Sequence, residues 1–279
     1  MRARATTLVW LAMVPLACGA AQLRYRLAAG EETRYHETVT AKGNLTVSSM
    51  LGEQVLPVEV KAVEERALKT VELLDNGTAW VESHSLSGTA TVTVMGESSQ
   101  EELPGLNLRM RMDPLGNILE SKQLESTQRG SVGLDLHLES LLQAARLTAF
   151  PQEEVEVGAR WDKVIELPTA DGRTITARAS SRLVGMRQVD GVAMAEIEST
   201  YEVPIPKTDG KVKLGGMELP VQVEGSTTGK TLTLWDIARG RSHSMKGDGT
   251  VDLKLLLVGL STEPSVGKFA LDLEVRLQP

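Results

Sequence analysis

From residue 22 onward, apolar and polar side chains alternate along much of the chain. Leu106, Leu108, Met110 and Met112 fall on one parity, and Asn107, Arg109, Arg111 and Asp113 on the other. Phe269, Leu271, Leu273, Val275 and Leu277 interleave with Ala270, Asp272, Glu274, Arg276 and Gln278 in the same way, as do Leu232 and Leu234 with Thr231 and Thr233. Successive side chains on a strand point to opposite faces, so each stretch predicts a strand with one dry face and one wet face. Strands of this kind belong to an antiparallel sheet covered on one side.

Turn chemistry fits that reading. Asn76-Gly77, Asp171-Gly172, Asp190-Gly191, Asp209-Gly210 and Asp248-Gly249 punctuate the alternating runs, and Asn or Asp followed by Gly tolerates the positive φ angles of tight hairpins. Each also resembles a fragment of a calcium loop, yet none carries the dense acidic ligands such a loop needs. Hairpins are the expected role.

The segment 138–150 departs from period two. Leu138, Leu141, Leu142, Ala145 and Ala149 share one face at helical spacing, and Pro151 follows. This predicts one amphipathic helix whose apolar stripe packs into the concave face of the sheet. Two weakly similar halves flank it. Ala79–Ser83 follows the turn at Asn76-Gly77 much as Ala195–Ser199 follows the turn at Asp190-Gly191. The expected architecture is therefore mainly β: one long, strongly curved antiparallel sheet or open barrel wrapping a single helix, with a first β half at 22–137 and a second at 151–279.

Residues 1–21 read differently. Arg2 and Arg4 precede the apolar run Leu8–Leu16, which gives way to the small residues of 17–21. A basic head, a short apolar middle and a small-residue end compose a secretory signal peptide, and the run is too short to span a bilayer. Cleavage after Ala21 would discard Cys18, the only cysteine. Alternatively, Leu16-Ala17-Cys18-Gly19 is a lipobox and Cys18 carries a lipid anchor, although Pro15 stands where such a motif prefers Leu. Either way the exported part holds no disulfide, and its stability must come from a core.

Charge and composition narrow the function. The net charge of −7 becomes −9 without Arg2 and Arg4, which disfavours nucleic acid and anionic membranes as partners. Aromatic residues make up 3% of the chain, so Trp80, Trp161 and Trp235 are the large anchors of the exported part and are expected to pack. His36, His84, His137 and His243 stand apart in sequence with no metal-ligand spacing. No nucleophile elbow accompanies Gly225-Ser226, and Gly215-Gly216 lacks the Lys and helix of a phosphate loop. The pairs Glu31-Glu32, Glu64-Glu65, Glu101-Glu102 and Glu153-Glu154 sit in polar contexts that suggest solvated loops. Two carboxylates suffice for a glycosidase, but sugar clefts are generally lined with aromatics, and few are available here.

Three phrases carry a family likeness. The chain opens with Leu23-Arg-Tyr-Arg-Leu-Ala-Ala-Gly-Glu31 and Tyr35. Phe150-Pro151 leads to Val155-Glu-Val-Gly-Ala-Arg-Trp161, and Leu234-Trp235-Asp236 leads to Gly240. Together they resemble a family of secreted bacterial β-rich proteins of unknown function, whose members share an LRYxLxxGE…Y opening and an FP…VxVGxxW phrase. Ala159-Arg160 departs from the acidic-small pair usual before that Trp. The resemblance implies a bacterial envelope location and transfers no catalytic residue. Read for themselves, Gly30-Glu31 forms a turn with Tyr25 and Tyr35 on either side of it, and Gly158 turns the chain into the strand at Trp161.

The reading that follows is an exported, non-enzymatic envelope protein without cofactor, metal or transmembrane span. It is either an interaction module for another envelope protein or a binder of a lipid or other apolar ligand. The small side chains Ala193 and Ala195, with Ile197 and Tyr201, mark a concave face that, with Leu138, Leu141 and Leu142, could hold such a ligand. A close-packed core is the plainer role for the same residues. The alternative function is an envelope hydrolase using dispersed carboxylates.

Overall fold

The computed structural model describes residues 20–49, 52–103, 107–124, 148–168, 174–214, 217–258 and 263–278. These hold twelve strands: β1 (Glu32–Ser49), β2 (Gly52–Leu73), β3 (Ala79–Val94), β4 (Glu97–Glu102), β5 (Leu108–Met112), β6 (Ile118–Gln123), β7 (Arg160–Pro168), β8 (Thr174–Val189), β9 (Val192–Leu214), β10 (Met217–Asp236), β11 (Arg241–Leu257) and β12 (Ser265–Leu277). All belong to one antiparallel sheet in the order β6-β5-β3-β2-β1-β12-β11-β10-β9-β8-β7, with β4 beside β3. Each half of the chain is an up-and-down meander, and the pairing of β1 with β12 joins them. The sheet curls until its two end strands, β6 and β7, approach each other, giving a nearly closed barrel.

Period-two patterning accounts for most of this. Along β12, Phe269, Leu271, Leu273 and Val275 are buried, whereas Ala270, Asp272 and Arg276 are exposed. Leu108, Met110 and Met112 are buried on β5. The barrel is flattened: Tyr35, Val39 and Ala62 of one wall share a cluster with Ile165, Ile175 and Ala177 of the opposite wall. Outward positions form cross-strand ion pairs, among them Lys42–Glu59 at 2.9 Å, Lys254–Glu224 at 3.2 Å and Lys246–Glu274 at 3.1 Å. Hydrogen bonds from Arg276 and Lys246 hold the Glu274 carboxyl below the usual carboxylate range. No helix among the described residues is long and apolar enough to cross a membrane.

Glycines inside strands let the sheet bend tightly. A Cβ on Gly225 would lie 2.0 Å from the carbonyl oxygen of Asp252. Gly229 pairs with both Tyr201 and Gly249, and a Cβ on it would lie 2.5 Å from the Tyr201 hydroxyl. The Tyr201 ring thus covers two glycines across three strands, supplying the packing they lack.

Several sequence expectations are corrected here. No helix is present among the described residues. Of the segment expected to be helical, 138–147 lies outside the described residues, and Thr148, Ala149 and Phe150 are non-helical and buried. Asp209-Gly210 and Asp248-Gly249 are not turns. Both lie within long strands, and at Gly249 the glycine permits close strand approach, a Cβ there lying 2.4 Å from the carbonyl oxygen of Thr228. Asp190-Gly191 does form a hairpin, with φ of 51° and 79°, and Asn76-Gly77 also lies in a turn, whereas Asp171-Gly172 falls outside the described residues. On β10 the expectation holds only in part: Leu234 is buried, but so are Thr227, Thr231 and Thr233, and Leu232 is 44% exposed. The fully buried Trp235 shares their parity and commits them to the interior.

Candidate functional site

One end of the barrel is crossed by an extended strap, residues 21–28. Its backbone is tied to three separate places, and the residues that follow it to a fourth. Ala21 exchanges two hydrogen bonds with Val155 (2.9 and 3.0 Å), Tyr25 N donates to Pro114 O (2.7 Å), Arg26 N donates to Gly240 O (3.3 Å), and Gly30 N, just beyond, donates to Thr70 O (2.8 Å). Two turn glycines make room for it. Gly240 has φ +61°, and a Cβ there would lie 2.3 Å from Arg26 N; Gly116 has φ +83°, and a Cβ there would lie 2.7 Å from the Tyr25 ring. Gly30 forms its expected turn, but the preceding residues do not pair with β1. They cross the barrel end instead.

Under the strap lies an aromatic group. Tyr25 meets Trp235 edge-on at 4.7 Å between ring centroids, and Phe150 meets Trp235 at 4.6 Å. Trp161 donates its indole N–H to Ala149 O at 2.7 Å, fixing the 148–150 segment against β7. Leu23, Leu183, Ala195 and Ile197 complete this cluster, each no more than 1% exposed. The place foreseen for a helical plug is therefore filled by aromatic side chains and Leu23. Burial on this scale contributes roughly 1.5–3 kcal/mol per large apolar side chain.

Beside this group is a cavity of about 100 Å³. Leu27, Leu68, Val81, Met110, Met112 and Val275 form its apolar wall. The remaining wall is polar and mostly buried. Glu37 on β1 stands in register with Glu64 on β2, and Glu64 is bound by Arg66 at 2.6 Å, with the two side chains 5% and 1% exposed. Arg66 also donates to Ser83 Oγ at 2.8 Å. Two carboxylates opposite each other in an apolar interior would repel, and the Arg66 guanidinium offsets that. At the mouth, Arg241 reaches Glu31 at 3.5 Å and Thr33 at 3.5 Å.

Three donors on this wall stand out. Trp235 Nε1, Ser242 Oγ and Arg241 Nε are buried and meet no acceptor among the described residues. Trp235 and Ser242 are register partners across the β10–β11 hairpin, so both side chains emerge on the same face. A buried donor left without an acceptor costs about 1–3 kcal/mol. Burial pushes the Tyr25 hydroxyl well above its usual range, with the neighbouring Tyr35 adding to the effect. Tyr35 is raised mainly by burial as well, Arg241 opposing that shift and Glu37 and Glu31 reinforcing it.

The residues proposed from sequence are distributed elsewhere. Ala195, Ile197 and Tyr201 are buried in the core, and Ala193 is exposed because the neighbouring Met194 takes the inward position near the hairpin. None of these lines the cavity. Leu138, Leu141, Leu142 and Cys18 lie outside the described residues. Glu64 is not in a solvated loop but in the middle of β2, facing inward. The strap, Arg66 and the cavity were not foreseen. A signal was available for one of them: Glu64 and Arg66 are two apart, hence on the same strand face, as an interior ion pair requires. Trp80 lies on the outer face with Arg109 over its ring at 5.1 Å.

No family model and no curated protein matches the chain. Among solved structures, it is similar to DynF from the dynemicin biosynthesis pathway of Micromonospora chersina, with 11% identity over 97% of this chain and 92% of that one. The TM-score is 0.27, a likeness too slight to inform fold or function.

Proposed function

We propose that this chain is an exported, non-enzymatic binding protein of the bacterial envelope, which holds an apolar or amphipathic ligand in the cavity beneath its strap. The observation that carries this reading is the cavity itself. It opens among four apolar clusters, and Met, Leu and Val form one wall of it, whereas close-packed interiors rarely retain such space. Methionines suit a surface that must adapt to a flexible ligand. The leader at 1–21 supports export, and the charged outer face supports a water-filled compartment. The cavity favours a ligand carrier over a pure interaction module for another envelope protein. The hydrolase alternative would use Glu37 and Glu64, which lie opposite each other, but the Arg66 guanidinium engages Glu64 and favours a structural role.

Native mass spectrometry of the folded chain tests the proposal. The expected result is an additional mass that is lost on denaturation. A bare mass, together with no uptake of the neutral apolar probe N-phenyl-1-naphthylamine, would overturn it.

A lipid-anchored form is a second reading with its own support. Ala21 belongs to the fold through its two bonds with Val155, and a cut after Ala21 would remove that contact. Processing at Cys18 would keep it. The mass of the mature N-terminal peptide separates the two, beginning at Gln22 in one case and at an acylated Cys18 in the other.

A further inference from the structure

We propose that residues 26–29 are the gate of this cavity. Ligand enters and leaves when this short stretch of the strap swings outward and lifts Leu27 off the cavity wall, while the chain on either side stays bonded. This rests on the binding-protein reading above and names how the site exchanges its ligand.

Bonding around the cavity carries the argument. Most of the wall comes from β1, β2, β3, β5, β10, β11 and β12, each hydrogen-bonded to its neighbours in one sheet. Moving any of these strands breaks several backbone bonds at once. Arg26 and Leu27 line the cavity but belong to no strand. A single backbone bond, Arg26 N to Gly240 O, ties the stretch down, and at 3.3 Å it lies beyond the usual range of about 2.7–3.2 Å. Among the described residues, the N–H groups of Leu27, Ala28 and Ala29 meet no backbone acceptor. Exposure agrees with this. Arg26, Ala28 and Ala29 are exposed, and Leu27 is partly buried, packed against the cluster of Ala79, Val81 and Met112. A segment with few backbone bonds and few buried contacts opens at a low free energy.

Both ends are fixed, as a hinged segment requires. On one side, Tyr25 N bonds Pro114 O at 2.7 Å and the Tyr25 ring packs on Trp235. On the other, Gly30 N bonds Thr70 O at 2.8 Å and Thr70 N bonds Glu31 O at 2.9 Å. The turn Ala28–Glu31 is closed by Glu31 N donating to Ala28 O at 3.0 Å, and Gly30 is its only residue with positive φ, +81°. That is a type II turn. Hinges are a few loop residues that absorb a large change in φ and ψ. Gly30 can do so freely, since even a Cβ there would meet nothing within 4 Å.

Two variants and one ligand-free measurement test the gate. Ala29→Pro stiffens the turn: proline suits the second position of a type II turn, and the N–H it removes makes no backbone bond. Leu27→Ala removes the side chain that closes the wall. Stopped-flow fluorescence with N-phenyl-1-naphthylamine reads uptake and release. Ala29→Pro is expected to slow both by about two- to fivefold with the equilibrium affinity unchanged. Leu27→Ala is expected to speed release about fivefold. In hydrogen exchange of the wild type without ligand, the Arg26 amide is expected to be roughly tenfold less protected than those of Tyr25 and Gly30. Unchanged rates in both variants, or an Arg26 amide as protected as the other two, would overturn the gate, while uptake of the probe leaves the binding-protein reading intact. A folded wild type that takes up no probe would overturn both.

Discussion

The chain has three tyrosines, and all three have hydroxyls displaced upward from the ordinary value near 10. Tyr201 is pushed up to about 12 by burial and by Asp248, and Tyr25 and Tyr35 lie higher still. In the unfolded chain each ionises near pH 10. A folded-state value above the unfolded one means that stability is fully present below pH 10 and is lost as pH rises towards the folded value. The window therefore opens at pH 10 and extends through pH 12. At pH 11, an unfolded tyrosine is ten parts ionised to one neutral, whereas each folded one is still mainly neutral. Linkage then gives a loss of about 1.4 kcal/mol per tyrosine, or about 4 kcal/mol for the three. That is a large fraction of the ~5–15 kcal/mol typical of a folded protein. The assay pairs absorbance at 295 nm, which follows tyrosinate, with far-ultraviolet circular dichroism, which follows the sheet. No tyrosinate is expected near pH 10, and its appearance should coincide with loss of the sheet. Urea unfolding at pH 8 and pH 11 measures the free-energy difference, and Tyr201→Phe should reduce it by about a third. A tyrosine that titrates near pH 10 while the sheet persists would refute the burial on which the strap and cavity rest.

Other perturbations probe single contacts. Gly229→Ala should destabilise by about 1–3 kcal/mol in urea titration, because its methyl meets the Tyr201 hydroxyl and the Asp248 carbonyl, whereas Gly191→Ala has open space and should cost only the ~1 kcal/mol of its positive φ. Leu23→Ala should cost about 2–5 kcal/mol in the same assay, since a fully buried strap residue behaves as core. Arg66→Met should cost about 3–5 kcal/mol, because it leaves buried carboxylates without their guanidinium; a loss below about 1 kcal/mol would show that Glu64 reaches water.

What the sequence disclosed depends on how local each determinant is. β5 and β12 were legible because a period of two is set residue by residue. The Thr231–Leu234 stretch was misread in part: Leu234 is buried, but the anchoring Trp235 takes Thr231 and Thr233 inside with it and leaves Leu232 exposed, since burying one large indole outweighs exposing one leucine. Asp248-Gly249 carries hairpin chemistry, yet the deciding neighbour, Tyr201, is supplied by another strand. The cavity was illegible for the same reason. Its walls come from the strap, β1, β2, β3, β5, β10, β11 and β12, and no sequence window spans them.

The strap is what ties these features together. An up-and-down meander needs only alternating residues and turns to curl, but nothing in that pattern closes its end. Residues 21–28 do so by bonding three unrelated sites, and they pass only where Gly116 and Gly240 leave space. The same crossing packs Tyr25 against Trp235 and sets Leu27 on the cavity wall. Closure and the candidate binding site are therefore one construction. A substitution that loosens the strap, such as Gly240→Ala with its Cβ 2.3 Å from Arg26 N, should weaken uptake of N-phenyl-1-naphthylamine and lower the melting temperature together. Loss of one without the other would separate the lid from the site.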